Sequence, residues 1–139
     1  MFHAKEYVKA ESLEQAYELN QKRSNVLAGC MMWLKMSSGN RNTVIDLSGL
    51  GLDQIEETED EFRIGCMCSL RQLELHKGLN QYFGGAFREC TRWIVGTQFR
   101  NSATVGGSVF GRFGFSDILT CMMVLDSYVE LYKTYPLIL

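Results

Sequence analysis

Arg100-Asn101-Ser102-Ala103-Thr104-Val105-Gly106-Gly107-Ser108 is the stretch that decides how this 139-residue chain is interpreted, and Ser116-Asp117 follows it. Two adjacent glycines come after a hydroxyl residue, and a second small polar residue comes after the glycines. Glycines let the backbone approach a flat or charged ligand where a Cβ atom would collide, and several backbone N–H groups can then point at one anion. A carboxylate at the predicted start of a helix completes the pattern. The stretch therefore predicts a cofactor cradle rather than a plain turn.

Another glycine-bearing segment precedes this stretch in the chain: Leu27-Ala28-Gly29-Cys30-Met31 lies where a short predicted strand ends. Together the two segments could grip a pyrophosphate from two sides, although an ordinary turn is the better interpretation of either segment taken alone. Gly49-Leu50-Gly51 does not form a dinucleotide-binding fingerprint, because the third glycine and the start of a following helix are missing. The hypothesis of a phosphate site thus depends on the two segments lying close together.

The composition indicates one globular domain or two small lobes. Hydrophobic residues make up 46% of the chain, which is enough for a packed core, and the formal net charge is −2. This charge gives no electrostatic reason to expect nucleic acid or an anionic membrane as a main partner. No apolar run is long enough to span a bilayer, and the N-terminal residues lack the layout of a signal peptide.

The chain contains five cysteines, an odd number. Scattered thiols are more typical of a reducing cytoplasm than of a disulfide scaffold, so we expect a cytoplasmic protein. Cys66-Met67-Cys68 invites a metal-site interpretation, but alternate residues of a regular strand point to opposite faces. The sequence supplies no second Cys or His pair to complete a zinc site, and no Ser-His-Asp or Cys-His set is evident. We therefore expect neither a metal site nor catalytic residues.

Helix-start signals and hydrophobic periodicity predict an α+β fold. Ser12 and Ser69 each precede a Gln by three residues, as in the capping box that satisfies the first helical N–H groups. The predicted helices cover 12–23, 69–76, 80–94 and 117–125. The predicted strands cover 25–29, 43–47, 54–58, 61–65 and 127–132, and the turn-like Glu59-Asp60 predicts a hairpin between 54–58 and 61–65. One helical turn over 31–36 precedes a loop over 37–40. The pattern changes near Gly49-Leu50-Gly51. This change predicts a small N-terminal α/β lobe (1–50) and a larger mixed lobe (51–139).

In both glycine segments the chain resembles a known family. Ala28-Gly29-Cys30-Met31 is similar to an Ala-Gly-Gly-Thr loop, and the stretch from Arg100 to Ser108 is similar to Arg-Asn-x-Ala-Thr-Ile-Gly-Gly-Asn. Both loops belong to the FAD-binding subunit of the xanthine dehydrogenase and carbon monoxide dehydrogenase (molybdenum hydroxylase) family. The resemblance runs from about Glu11 to Leu131 and includes, in the family's order, Ser12-Leu13-Glu14-Gln15-Ala16, Val44-Ile45-Asp46-Leu47, Ile64-Gly65, Ser116-Asp117 and Leu125-Asp126.

The resemblance implies a two-lobe FAD-binding fold of the PCMH type, with FAD extended between the lobes. It also implies one subunit of a complex, in which a molybdopterin subunit oxidises a purine, an aldehyde or a similar substrate and an iron–sulfur subunit carries the electrons. The flavin would pass these electrons to NAD or another acceptor. The protein's part would be binding, orienting and tuning the cofactor.

The same resemblance implies which residues bind FAD. Residues 27–32 would lie along the pyrophosphate, Ile94 would line the flavin pocket, and the Thr104 segment would hold the phosphates and the flavin side, with a hydrogen bond from the cofactor to Asp117. The complete implied set is Leu27, Ala28, Gly29, Cys30, Met31, Met32, Ile94, Thr104, Val105, Gly106, Gly107, Ser108, Ser116 and Asp117.

Several departures from the family pattern bear on these expectations. Cys30 replaces the second glycine of the first loop, and a Cβ there would be strained by roughly 1–2 kcal/mol if that position requires a positive φ. Met31 replaces a threonine and removes a hydroxyl donor, a loss of roughly 1 kcal/mol. Ser108 replaces an asparagine, and residues 111–115 lack the proline that the family often has there. The sequence stops before the rest of the flavin lobe and the C-terminal domain of the family, so we interpret the chain as a truncated or split member.

Two alternatives remain open from the sequence. Cys30, Met31 and the short C-terminus are also compatible with a degenerate fragment that keeps the fold, binds no flavin and serves at most as an assembly surface. The other alternative is a related flavoenzyme that binds FAD through a similar two-lobe fold but acts without molybdenum partners.

Overall fold

The computed structural model describes residues 1–133 and the backbone of 137–138, and its N-terminal part is built on a small parallel sheet. The strands of this sheet are β1 (Phe2–Lys9), β2 (Val26–Ala28) and β3 (Gly39–Asp46). β3 lies in the centre and pairs in parallel with both neighbours, so Lys9, Ala28 and Asp46 are in register at the carboxyl edge of the sheet. Open α/β sheets bind their ligands at this edge.

This sheet differs from the prediction in three respects. β1 is absent from the predicted elements, because its half-buried apolar residues are separated by charged ones. β3 begins at Gly39, inside the predicted loop over 37–40, since pairing with β1 supplies backbone partners from Phe2 onward. The strand predicted as buried over 25–29 is shorter, and its Leu27 is 40% exposed.

The first helix, α1 (Leu13–Asn20), confirms the predicted helix start and ends three residues before the predicted end. Ser12 Oγ accepts a hydrogen bond from the backbone N–H of Gln15, and Gln15 Oε1 accepts one from the N–H of Glu11. The side chains thus satisfy N–H groups that the helix leaves unpaired. This part of the chain has its own small hydrophobic cluster, which consists of Ala10, Ala16 and Ile45 with Leu19, Leu47 and Leu50 packed against it.

The rest of the chain is mainly helical. Its elements are the hairpin strands β4 (Ile55–Glu57) and β5 (Phe62–Ile64), the helices α2 (Leu70–Leu75), α3 (Lys77–Tyr82), α4 (Ala86–Thr91), α5 (Thr97–Ser102), α6 (Val105–Phe110) and α7 (Asp117–Val124), and the short pair β6 (Tyr128–Val129) and β7 (Leu137–Ile138). The antiparallel hairpin and the starts of α2 and α7 confirm the predictions. Ser69 and Gln72 form a complete capping box at α2.

Three predictions for this part are wrong. The helix predicted over 80–94 is divided into α3 and α4, because Gly84 and Gly85 have φ values of +58° and +82° in the left-handed region. Cys66-Met67-Cys68 lies in a turn rather than on a strand, with Cys66 exposed and Cys68 buried. The strand predicted over 127–132 is limited to β6, and residues 134–136 and 139 of the apolar tail lie outside the described residues.

The main hydrophobic cluster joins α2 to α7 and the hairpin. Its buried members are Cys68, Leu70, Leu73, Leu79, Phe87, Ala103, Val105, Ile118, Cys121 and Met122. Met32, from the N-terminal part, packs against this cluster, and so do Ile94 and Phe99. Met32 therefore ties the first glycine segment to the larger core.

A membrane-spanning helix is not found among the residues that the structure describes, because each helix there is too short or too polar.

Candidate functional site

The first glycine segment, residues 27–32, leaves the carboxyl edge of the parallel sheet. β2 ends at Ala28, which pairs with Asp46 at the end of β3. Asp46 is held by the hydroxyl of Tyr7 and by the N–H and hydroxyl of Ser48, so its carboxylate is already satisfied. The segment that follows Ala28 is thereby placed at the carboxyl edge of the sheet, beside a fixed carboxylate.

The second glycine segment, residues 104–108, forms the start of helix α6. The prediction of a loop here is therefore wrong. Thr104 is the N-cap of α6, and Gly106 and Gly107 lie in its first turn. Thr104 Oγ1 accepts a hydrogen bond from the Gly107 N–H at 3.2 Å, and this cap offsets the poor helix propensity of two consecutive glycines. Contact with Cys66 requires glycine at position 106, because a Cβ on Gly106 would lie 2.6 Å from the Cβ of Cys66.

The two segments meet at one hydroxyl group. Thr104 Oγ1 lies 2.7 Å from the position that a Cβ on Gly29 would occupy, and 2.9 Å from the corresponding position on Gly107. Real Cβ atoms essentially never approach a neighbour so closely, so only glycine fits at position 29 without a shift. The two glycine segments are therefore in direct contact, as the hypothesis of a phosphate site requires, although Gly29 and Thr104 are 75 residues apart in sequence.

The backbone amides of the two segments differ in their hydrogen bonding. Val105 and Gly106 donate to the carbonyls of Cys68 and Cys66 at 2.8 and 2.9 Å, and Gly107 donates to Thr104 Oγ1. Within the described part of the chain, no backbone–backbone hydrogen bond outside the strands uses an amide of residues 29–32 as its donor. Among the described residues, the first segment thus has amides without a backbone acceptor, which we call open amides, whereas the amides of Val105, Gly106 and Gly107 in the second segment are already bonded within the protein.

The backbone of the first segment is strained at Met31 rather than at Cys30. Met31 has a φ of +55°, and Cys30 is not among the positive-φ residues. The backbone strain that the sequence analysis expected at Cys30 therefore occurs one residue later, at Met31. Desolvation and the nearby Asp46 carboxylate raise the pKa of the Cys30 thiol, so this thiol is neutral at pH 7 and adds no negative charge beside a phosphate.

Replacing Met31 with glycine is expected to stabilise the folded chain by about 1 kcal/mol, because an L-residue in the left-handed region is strained by roughly 1–2 kcal/mol and part of that is offset by glycine's greater freedom when unfolded. Urea unfolding of Met31→Gly measures the effect, and Cys30→Gly is the matched control with no expected gain. A gain from Cys30→Gly alone would contradict the placement of the strain.

Ser116 and Asp117 lie at the start of α7, next to the second segment. Ser116 Oγ accepts from the Leu119 N–H at 3.2 Å and donates to the Ser108 carbonyl at 3.3 Å. Ser116 therefore acts as a bridge between α6 and α7, and its hydroxyl is used by the protein itself. Asp117 is exposed in the first turn of α7, where its carboxylate is accessible to a ligand.

Ile94 is hydrogen-bonded to Arg100, and Arg100 forms a buried ion pair with Glu74 that the sequence patterns do not reveal. Arg100 Nη1 donates to the Ile94 carbonyl at 3.1 Å, and Arg100 Nε donates to Glu74 Oε2 at 2.8 Å. Arg71 Nη1 donates to the other carboxylate oxygen of Glu74 at 2.7 Å. The spacing of 26 residues between Glu74 and Arg100 is far outside the i,i+4 range in which helical charge pairs can be recognised from sequence.

Glu74 is expected to make the stability of the chain fall in acid. Burial raises the pKa of Glu74, but hydrogen bonds and charge from Arg71 and Arg100 outweigh it and lower the pKa below its ordinary value of 4.5. A carboxyl whose pKa is lowered on folding contributes stability above its unfolded pKa and loses that contribution as the pH falls through its folded pKa. The difference in free energy of unfolding between wild type and Glu74→Gln will therefore shrink between about pH 6 and about pH 3 in urea titrations. A constant difference over that range would contradict the lowered pKa.

An aromatic cluster, formed by Trp33, Phe99, Phe113 and Phe115, is a second feature that the sequence analysis missed. The Trp33 ring centroid lies 6.0 Å from that of Phe99 and 5.8 Å from those of Phe113 and Phe115. Trp33 follows the first segment directly, while its partners flank the second segment and precede Ser116. The cluster thus connects the residue that follows the first segment to residues on either side of the second segment, and no periodicity in the sequence marks it.

Comparison with known proteins identifies the family of the chain. Residues 2–135 match the family described as the FAD binding domain in molybdopterin dehydrogenase. Uncharacterized protein YgfM of Escherichia coli (strain K12) is 25% identical over 126 residues, which cover 88% of this chain and 47% of that protein. The 6-hydroxypseudooxynicotine dehydrogenase complex subunit alpha of Paenarthrobacter nicotinovorans is 25% identical over 131 residues, which cover 89% of this chain and 44% of the subunit. The chain thus spans about half the length of these relatives.

The fold is shared with a solved structure, the reconstituted CO dehydrogenase from Oligotropha carboxidovorans. The TM-score is 0.76 at 20% sequence identity, and the alignment covers 91% of this chain and 45% of that chain. This likeness confirms the predicted α+β FAD-binding fold. Because the family match covers nearly the whole chain, this protein belongs to the family of FAD-binding domains in molybdopterin dehydrogenases, and its cofactor is FAD.

Proposed function

We propose that the chain is the FAD-binding part of an electron-transfer subunit in a molybdenum hydroxylase complex. The contact between Gly29 and Thr104 Oγ1 supports this proposal most directly, since it unites the two glycine segments into one backbone surface. The complex would be of the xanthine or purine dehydrogenase or aldehyde dehydrogenase type. An iron–sulfur subunit and a large molybdopterin subunit would be the partners, NAD or another acceptor would receive the electrons, and the setting would be the cytoplasm.

The residues present fit a diphosphate on geometric grounds. Glycine at position 29 lets the first segment lie directly against Thr104 Oγ1, where a Cβ atom would be only 2.7 Å away, and the open amides of residues 29–32 lie in this first segment. Neither Cys30, with its neutral thiol, nor the backbone of Met31 introduces negative charge. Uncharged N–H groups beside a phosphate stabilise it by hydrogen bonding without a basic side chain.

Each implied site residue receives a role in this proposal. FAD, when bound, supplies the redox chemistry, and we assign no catalytic side chain to this chain. Gly29, Cys30, Met31 and Met32 would bind the pyrophosphate through their backbone, and Asp117 would accept a hydrogen bond from the cofactor. Leu27, Ala28, Ile94, Thr104, Val105, Gly106, Gly107, Ser108 and Ser116 would shape the walls of the site.

The two hydrophobic clusters support the further proposal that the chain has two lobes, 1–50 and 51–139. The smaller cluster draws only on residues 10–50, and the larger one draws on residues 55–125 together with Met32. A cofactor that contacts both glycine segments would lie against both lobes.

Binding of FAD to the purified chain is the primary test. At a free FAD concentration of about 100 times Kd, the free energy of unfolding is expected to rise by about 2.7 kcal/mol, and flavin absorption bands are expected to remain with the protein after gel filtration. Riboflavin is the matched control, because it lacks the diphosphate that the first segment would hold. If FAD changes neither the melting temperature nor the visible spectrum of the protein fraction, the proposal is wrong for this chain.

A second candidate function, that of a degenerate assembly surface without flavin, is favoured by Cys30 and Met31, which replace a glycine and a threonine of the family loop. The family threonine that Met31 replaces would offer a hydroxyl, and Met31 offers none. If the native chain is colourless and Cys30→Gly combined with Met31→Thr confers FAD binding, this second function is correct. Co-purification of iron–sulfur or molybdopterin subunits with a flavin-bound chain would instead exclude both this function and a flavoenzyme that acts without molybdenum partners.

A further inference from the structure

Arg100 makes an unusual set of contacts for a residue next to a ligand-binding segment. Its side chain is only 8% exposed, as is that of Glu74. The guanidinium donates from Nε to Glu74, from Nη1 to the Ile94 carbonyl, and from Nη2 to Thr97 Oγ1 at 3.3 Å. One planar group therefore connects helix α2, the turn that contains Ile94, and the first residue of α5.

Helix α2 holds the second glycine segment by backbone contacts as well. The N–H of Leu70, the first residue of α2, donates to the Ala103 carbonyl at 2.9 Å, and Ser69 forms an antiparallel bridge with Thr104. Glu74 lies one helical turn further along the same helix and binds Arg100. The segment from Ile94 to Thr104 is thus fastened to α2 at two points, by backbone hydrogen bonds at Ala103 and by the buried ion pair at Arg100.

We propose that Arg100 is a positioning residue, which fixes Ile94 and the Thr104 N-cap relative to each other and so holds Thr104 Oγ1 against Gly29. The part of this inference that concerns FAD rests on the proposed function, whereas the part that concerns the backbone does not. The hydrogen bonds of the Arg100 side chain go to Glu74, Ile94 and Thr97, so it would act on Thr104 through the geometry of α5 and of the turn before it.

The positioning role depends on the planar shape of the Arg100 guanidinium more than on its positive charge. A lysine at position 100 would keep a cation beside Glu74, but its single ammonium group cannot reproduce a rigid fork that reaches a carboxylate, a carbonyl and a hydroxyl together. Arg71 provides the matched comparison, because it binds the same carboxylate without any of the contacts to Ile94 or Thr97. Arg100→Lys and Arg71→Lys therefore separate positioning from simple charge balance.

Amide hydrogen exchange in the FAD-free full chain is the first measurement. The N–H groups of Val105 and Gly106 report on the second segment, and those of Val44 and Ile45 in β3 serve as an internal reference for global unfolding. Arg100→Lys is expected to speed exchange at Val105 and Gly106 about tenfold relative to that reference, because local opening and not global stability is what the contact controls. Arg71→Lys is expected to leave this ratio within about twofold of wild type.

FAD titration is the second measurement, with protein fluorescence and the visible circular dichroism of the bound flavin as readouts. We expect Arg100→Lys to raise Kd about tenfold, which corresponds to about 1.4 kcal/mol, and to alter the dichroism at saturation. Arg71→Lys is expected to change neither. If Arg100→Lys yields no folded protein, Thr97→Val is the substitute, because it removes only one of the three acceptors of Arg100. A smaller increase in the Kd for FAD is then expected.

The two measurements test different claims, so a contrary result in each has a different meaning. An unchanged exchange ratio in Arg100→Lys, or equal changes in both lysine variants, overturns the positioning role whether or not FAD binds. Uniformly faster exchange in both lobes also overturns it, because that result describes ordinary destabilisation. Absence of FAD binding in the wild type overturns the proposed function, and the exchange ratio alone then decides the role of Arg100.

Discussion

Replacing Gly29 with alanine is expected to weaken FAD binding about 100-fold while leaving the chain folded. The new Cβ would lie 2.7 Å from Thr104 Oγ1, so either the first segment or the N-cap of α6 must move. Overpacking of this kind costs about 1–3 kcal/mol, and each 1.4 kcal/mol of lost binding energy is about tenfold in Kd. The displacement falls directly on the open amides of residues 29–32, which is why we expect the loss in binding more than in stability.

A double-variant cycle distinguishes this collision from other causes. Thr104 Cβ lies 3.6 Å from the same position, an ordinary van der Waals distance, so Thr104→Ala removes the obstacle. The combination of Gly29→Ala with Thr104→Ala is expected to bind FAD more tightly than the sum of the two single effects allows. Gly96→Ala is the matched control, because a Cβ there meets nothing within 4 Å. Additive effects of Gly29→Ala and Thr104→Ala would show that the two segments do not cooperate at this contact.

Replacing Glu74 with leucine is expected to destabilise the chain by about 3–5 kcal/mol, because it leaves the buried Arg100 guanidinium without its counter-charge. The effect is large for a domain of this size, where the whole free energy of unfolding is about 5–15 kcal/mol. Chemical denaturation with an unchanged m-value measures it. The melting temperature is expected to fall in parallel.

Two comparisons test the cause of this loss. Glu89 forms an exposed ion pair with Arg92 at 3.1 Å, and its side chain is 55% exposed, so Glu89→Leu is expected to change stability by less than about 1 kcal/mol. Combining Glu74→Leu with Arg100→Met removes both charges and is expected to recover much of the loss. A double variant that is less stable than Glu74→Leu alone would refute the explanation by an unpaired buried charge.

The elements that the sequence predicts correctly are those whose signals are local. Ser69 and Gln72 mark the start of α2 by their own side chains, and Glu59-Asp60 marks the hairpin turn between β4 and β5. Each signal depends on hydrogen bonds or backbone freedom within a few residues. Such features survive in any fold that contains the segment, so they can be identified without knowledge of the neighbours.

The errors occur where a distant partner decides the local structure. Gly106 and Gly107 favour a loop by propensity, yet they are helical because Thr104 caps the turn and the carbonyls of Cys66 and Cys68 take the first amides. The start of β3 at Gly39 depends in the same way on its pairing with β1. The burial of Arg100 depends on Glu74, which is 26 residues away in the sequence, so no local pattern predicts it.

By itself, the sequence carried the resemblance to the family, which implied FAD as the cofactor. It also marked the two glycine segments and the helix starts, because glycines and capping residues act through their own backbone. The tertiary structure alone decided that Thr104 Oγ1 lies between Gly29 and Gly107, that Met31 carries the strained φ, and that Arg100 is buried. These outcomes depend on atoms brought together from segments far apart in the chain. Their physical reason is close packing, which sets distances between residues that no local pattern in the sequence relates to each other.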